Sequence, residues 1–212
     1  MKMKKVLAAV LATTMVMASA VTASATTVQS SGANNVPMEV VEPKSFAEEN
    51  SKSAGASVSV AGQTVATSVS GVYAATSVRG TAVKTSLADV RTALGLTGNQ
   101  SPIILVYDTD AKKSTAAMAS VNAAVEALGG EFVSSLNIDL GAKQNGKWVE
   151  LKDGSVALAA GLPKDADTSK TYVIVCVQPG GATTILEDQD TNPNTVTFAV
   201  QAGLGTYAIV AK

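Results

Sequence analysis

The stretch from residue 172 to residue 212 leaves a chain little choice of fold. It reads Tyr172-Val-Ile-Val-Cys-Val-Gln178, a Pro179-Gly180-Gly181 turn, Thr183-Thr-Ile-Leu-Glu187, a polar loop, Thr195-Val-Thr-Phe-Ala-Val200 and Thr206-Tyr-Ala-Ile-Val-Ala211. Each run is short, rich in β-branched and aromatic residues, and bounded by Gly, Pro, Asn or Asp. That is the composition of strands in an antiparallel sheet.

Upstream, the same signals recur with helices between them. Alternating valines on either side of Ala61-Gly62 predict a hairpin, and strands follow at 71–78 and 81–85. Ser86 and Asp89 have the spacing of a helix N-terminus, with Gly95 placed to end a short helix. The continuous apolar run 103–107 suits a strand buried on both faces. A helix is predicted over 111–128, where Met118, Val121, Val125 and Leu128 form one face and alanines fill most of the rest. With the next strand, 131–140, this makes a β-α-β unit whose crossover would be right-handed. Asn145-Gly146 and Asp153-Gly154 are turns between further strands, which brings the count from Phe132 onward to about seven.

The first residues read as an address. Lys2, Lys4 and Lys5 precede an apolar stretch from Val6 to Met17, and small residues around Ala23-Ser24-Ala25 fit signal-peptide cleavage after Ala25. The apolar run is shorter than the ~20 residues that span a bilayer. Residues 26–54 are polar, contain Pro37 and Pro43, and read as a flexible linker with a short helix near 46–51. The expected organisation is therefore a signal peptide (1–25), a linker (26–54), a mixed α/β region (55–133) and a β-sandwich domain (134–212).

Cleavage takes Lys+Arg from 16 to 13 against 17 Asp+Glu, so the mature net charge is −4. That balance argues against a nucleic-acid partner. The one cysteine, Cys176, sits among valines and reads as a small buried hydrophobe, and no partner for an intramolecular disulfide exists. With no apolar tail before Lys212, the mature chain is expected to be secreted or extracellular, either free or held non-covalently at the wall, with no stable membrane insertion.

Histidine is absent from the sequence. This removes Ser-His-Asp and Cys-His catalysis and His-based zinc sites, and leaves carboxylate, lysine or tyrosine chemistry and oxygen-only metal sites. Three places carry candidate residues. Asp188, Asp190 and Asn192 set oxygen donors at alternate positions, as a calcium loop does, or as a hairpin loop does whose side chains bond its own backbone. Asp108 and Asp110 stand where a buried strand meets a helix; they suit a divalent cation, or the cap and positive end of that helix. Trp148, beside the Asn145-Gly146 turn, suits a glycan platform, or an aromatic of the sandwich core or edge.

Leu162-Pro163, Lys170-Thr-Tyr-Val-Ile-Val175, Ile185-Leu186, Thr195-Val-Thr-Phe198 and Gly205-Thr-Tyr-Ala-Ile209 together resemble the small immunoglobulin-like β-sandwich modules of Gram-positive secreted and surface proteins. Gly71-Val-Tyr-Ala-Ala-Thr-Ser-Val78 with 104–117 is similar to uncharacterised secreted proteins of gut Firmicutes. The first resemblance implies an immunoglobulin-like fold for the C-terminal part, and neither implies an activity.

The expectation is an α+β protein, with N-terminal mixed strands and two helices joined to a C-terminal antiparallel β-sandwich. Its expected function is a non-catalytic secreted or envelope-associated binding or structural module for a protein or glycan at the cell surface. The alternatives are a carboxylate-dependent glycan-active enzyme, which needs two acids within ~10 Å across a groove, and a calcium-stabilised adhesion-type module. No cofactor is expected beyond that calcium.

Overall fold

The computed structural model describes residues 44–212. The expected signal peptide and residues 26–43 of the expected linker lie outside the described residues. In chain order the elements are α1 (Lys44–Glu49), β1 (Ser51–Lys52), β2 (Ser57–Val60), β3 (Gln63–Ala66), β4 (Ser70–Tyr73), β5 (Thr81–Val83), α2 (Leu87–Ala93) and β6 (Ser101–Asp108). Then come α3 (Thr115–Leu128), β7 (Glu131–Gln144), β8 (Lys147–Val149), β9 (Ser155–Gly161), β10 (Tyr172–Val177), β11 (Thr183–Glu187), β12 (Thr195–Gln201) and β13 (Gly203–Ala211). The described chain is a β-rich fold with three helices.

Eight strands form one sheet in the order β1-β4-β6-β7-β13-β10-β11, with β8 added to the far end of β7. A second sheet has the order β12-β9-β5, and β2 and β3 form a separate hairpin. Asn145 and Gly146, both at positive φ (52° and 77°), turn β7 into β8, the geometry an Asn-Gly pair adopts with least strain.

Alternation decides what each strand buries. Ile104, Val106, Leu136, Ile138, Leu140, Ile174 and Ile209 of the large sheet meet Val156, Leu158, Val196, Phe198 and Val200 of the small one in the main core. Full burial of each such side chain contributes about 1.5–3 kcal/mol. On the opposite face of β10, Val173, Val175 and Val177 pack with Ala208, Val210 and Val121 of α3. The run Val-Ile-Val-Cys-Val is apolar throughout because both of its faces are covered. Alanines let α3 lie close on the sheet, and Gly129 ends it in the left-handed conformation at φ 61°.

The expected β-α-β unit is corrected. β6 and β7 are neighbours, but they pair antiparallel with Asp108 opposite Leu136, so α3 returns the chain on an adjacent antiparallel strand and makes no crossover. The parallel pair is instead β4 with β6. The boundary expected between residues 133 and 134 falls inside β7, and β5 from the earlier segment pairs with β9 from the later one. Among the described residues no helix is long and apolar enough to cross a membrane.

Candidate functional site

The loop from β11 to β12 is built by its own acidic side chains. Asp188 Oδ1 accepts the Asp190 N–H at 2.8 Å, Asp190 Oδ1 accepts the Asn192 N–H at 3.0 Å, and Asn192 Oδ1 accepts the Asn194 N–H at 3.0 Å. Three successive side-chain-to-backbone turns thus explain the alternate spacing of the oxygens. Asp190 Oδ2 further accepts the hydroxyls of Thr195 (2.8 Å) and Thr197 (2.9 Å) and pairs with Lys84 Nζ at 3.3 Å. Burial alone would raise the Asp190 pKa, but these donors together hold it down to about 2. Asp188 goes the other way: burial pushes its carboxyl up, and the neighbouring Asp190 charge adds to that.

This loop forms one wall of a shallow groove of ≈ 360 Å³, with Lys170, Tyr172 and Glu187 among the other lining residues. Lys170 donates to Glu131 at 2.7 Å. Among the described residues no three of His, Cys, Asp or Glu converge as a cation ligand set.

Asp108 and Asp110 have different partners. Asp108 Oδ2 accepts the backbone N–H (2.8 Å) and hydroxyl (2.6 Å) of Thr76, and Oδ1 accepts the Ser77 N–H at 2.8 Å. Burial opposes ionisation there, but these bonds outweigh it and lower the pKa. The residue ties the loop between β4 and β5 to the end of β6. Asp110 accepts the N–H of Lys112 at 2.9 Å and that of Lys113 at 3.4 Å, making the turn that precedes α3. The expectation that Asp110 caps α3 is corrected, since Ser114 takes the N-cap position.

Trp148 lies on the outer face of the large sheet, 39% exposed. Its indole rests on Gly141: a Cβ built on that glycine would meet Cε2 at 2.8 Å and Cη2 at 2.9 Å, with Cζ2 nearer still. Several ring atoms this close to one backbone position place the flat of the ring against β7. The missing Cβ is what admits it.

Sequence reasoning gave no sign that β11 is the last strand of the large sheet. Among the described residues it pairs with β10 alone, with Val175 opposite Ile185. Thr183, Thr184, Ile185 and Glu187 are all exposed, and Ile185 is 39% accessible. Three of its five residues are β-branched, and it carries neither Lys nor Pro. An edge of that composition presents unpaired backbone donors and acceptors to a further strand. The signal for it is tertiary, because an edge strand and a central strand read alike.

No family model, curated protein or solved structure matches this chain.

Proposed function

We propose that this protein is a non-catalytic binding module, secreted or held at the cell envelope, that takes up an extended segment of a protein partner as a strand beside β11. The observation that supports it is the open β11 edge: five mainly β-branched residues, four of them exposed, with no second neighbour strand among the described residues. Main-chain hydrogen bonds to such an edge give affinity, and pockets for alternate side chains give selectivity. The groove beside Glu187, Asp188 and Lys170 continues that edge and offers polar groups to the segment's end. The major carboxylates nearby already serve turns and ion pairs, which favours recognition over acid-base chemistry.

The immunoglobulin-like reading of the C-terminal part belongs to the same proposal. Tyr207 supports it: its hydroxyl accepts the N–H of Gln201 at 2.9 Å, a tyrosine-to-backbone bond of the kind that braces sandwich corners.

The test is selection of binders from a displayed library of extended peptides against the chain from Thr26, counter-selected on an Ile185→Lys variant. A charge at the centre of the edge blunts strand addition without touching the core. Peptides that bind wild type at least tenfold tighter than the variant support the reading; binders indifferent to the substitution contradict it.

A further inference from the structure

The outer face of the large sheet holds a second feature, three strands away from β11. Register fixes its map. Along β7, Lys143, Gly141 and Asp139 share a face, because side chains alternate. Trp148 stands opposite Lys143 in the β7–β8 hairpin and leans diagonally onto Gly141. Ile103 and Leu105 of β6 lie opposite Gly141 and Asp139, and Leu204 of β13 flanks Asp139 on the other side. Glu150 follows the end of β8 and stands near enough for its charge to act on Asp139. The Leu151 carbonyl oxygen lies 3.5 Å from where a Cβ on Gly203 would sit, so this part of the chain runs beside the start of β13.

Asp139 is the unusual member. It is half-buried between Leu105 and Leu204, its neighbours in the sheet, yet its carboxylate makes no hydrogen bond or ion pair with any described residue. Half-buried carboxylates normally have such partners. Burial, and then the charge of Glu150, both push its carboxyl pKa up. A ligand that donates hydrogen bonds to both oxygens relieves that cost.

We propose that Trp148, Asp139 and Glu150 form a carbohydrate-binding site, with a pyranose ring stacked on the outward face of the indole and its hydroxyls donating to the two carboxylates. One indole face is closed by Gly141 while Trp148 keeps 39% of its surface exposed, which suits a one-sided platform. Residues two apart on a strand are about 7 Å apart. That distance suits a ring centred over Gly141 whose outer hydroxyl reaches Asp139. Lys143 on the opposite side supplies donors for ring or hydroxyl oxygens. Acceptors on one rim and a donor on the other match a neutral polyol better than an ion. A flat aromatic face requires an uninterrupted C–H face on the sugar, so the class is a β-linked glycan of pyranoses with all-equatorial hydroxyls.

Trp148 is the chain's only tryptophan, so fluorescence excited selectively at tryptophan reports this site and no other. The experiment titrates the chain from Thr26 with cellohexaose and, separately, with mannohexaose, whose 2-hydroxyls are axial. The expected result is a saturable change in emission with cellohexaose, at least tenfold weaker with mannohexaose. Asp139→Ala and Glu150→Ala should each weaken it by at least fivefold, with the melting temperature recorded for every variant. Glu150 is exposed, so its variant keeps the fold and its loss of binding stands alone as evidence. No saturable change with cellohexaose overturns the proposal, as does equal response to both sugars or binding unaffected by Glu150→Ala. None of these outcomes bears on β11, whose test uses peptides.

Discussion

Thr197 donates its backbone N–H to Asp188 at 2.8 Å, so the first residue of the β11–β12 loop is tied to the strand that follows it. The same threonine donates its hydroxyl to Asp190 at 2.9 Å. Two acids two residues apart are thereby placed in different environments, one held ionised and one resisting ionisation.

Asp190→Ala is expected to cost about 2 kcal/mol at pH 7, the loss of several hydrogen bonds to a charged group. Because the folded state holds this carboxyl at about 2, below its unfolded value, its contribution is complete above about pH 4 and is lost as pH falls towards 2. Asp188→Asn should behave oppositely. Its folded pKa is raised, so removing the charge keeps the turn and leaves neutral-pH stability equal or higher. Urea melts of both variants at pH 7 and pH 3 separate the two signs.

Asp108→Ala is expected to destabilise by about 2 kcal/mol, since it leaves the N–H groups of Thr76 and Ser77 without their acceptor. Thr76→Val, which removes only the hydroxyl bond, should cost about 1 kcal/mol. Amide exchange in residues 74–80 should quicken in the first variant more than in the second. Equal exchange in both would contradict the tie between this loop and β6.

Gly71→Ala tests the parallel pairing of β4 with β6. A Cβ at Gly71 would penetrate the Ile104 carbonyl oxygen, a backbone atom with no freedom to withdraw. The expected cost is about 3 kcal/mol, the upper range for overpacking. A wild-type melt would show that these strands do not meet in this register.

Local structure was largely legible in the sequence, because it depends on neighbours along the chain. Thr183–Glu187 was predicted as a strand residue for residue, and Ser86 accepts the Asp89 N–H as its spacing implied. Partner choice was not legible. Nothing in Ile103–Val106 distinguishes a strand parallel to β4 from one antiparallel to β7, and β6 is both. The acids were found by spacing, but spacing alone left the role of Asp108 open between cation binding and service to α3. Its true partners, Thr76 and Ser77, are more than thirty residues upstream. Trp148 was visible as a candidate, whereas Asp139 acquires meaning only when the register puts it beside Gly141.

The most direct test of the central claim, that β11 receives a strand, is amide hydrogen exchange across residues 183–187 with and without a library-selected extended peptide. Alternate residues of an antiparallel strand direct their N–H groups to opposite sides. Of Thr184→Pro and Ile185→Pro, therefore, one removes a donor facing β10 and the other a donor facing outward. Bound peptide is expected to slow exchange at alternate residues of β11 by at least tenfold, and the variant lacking the outward donor to fold normally but lose binding. Protection elsewhere in the molecule with β11 unchanged, or binding retained in both proline variants, would contradict it.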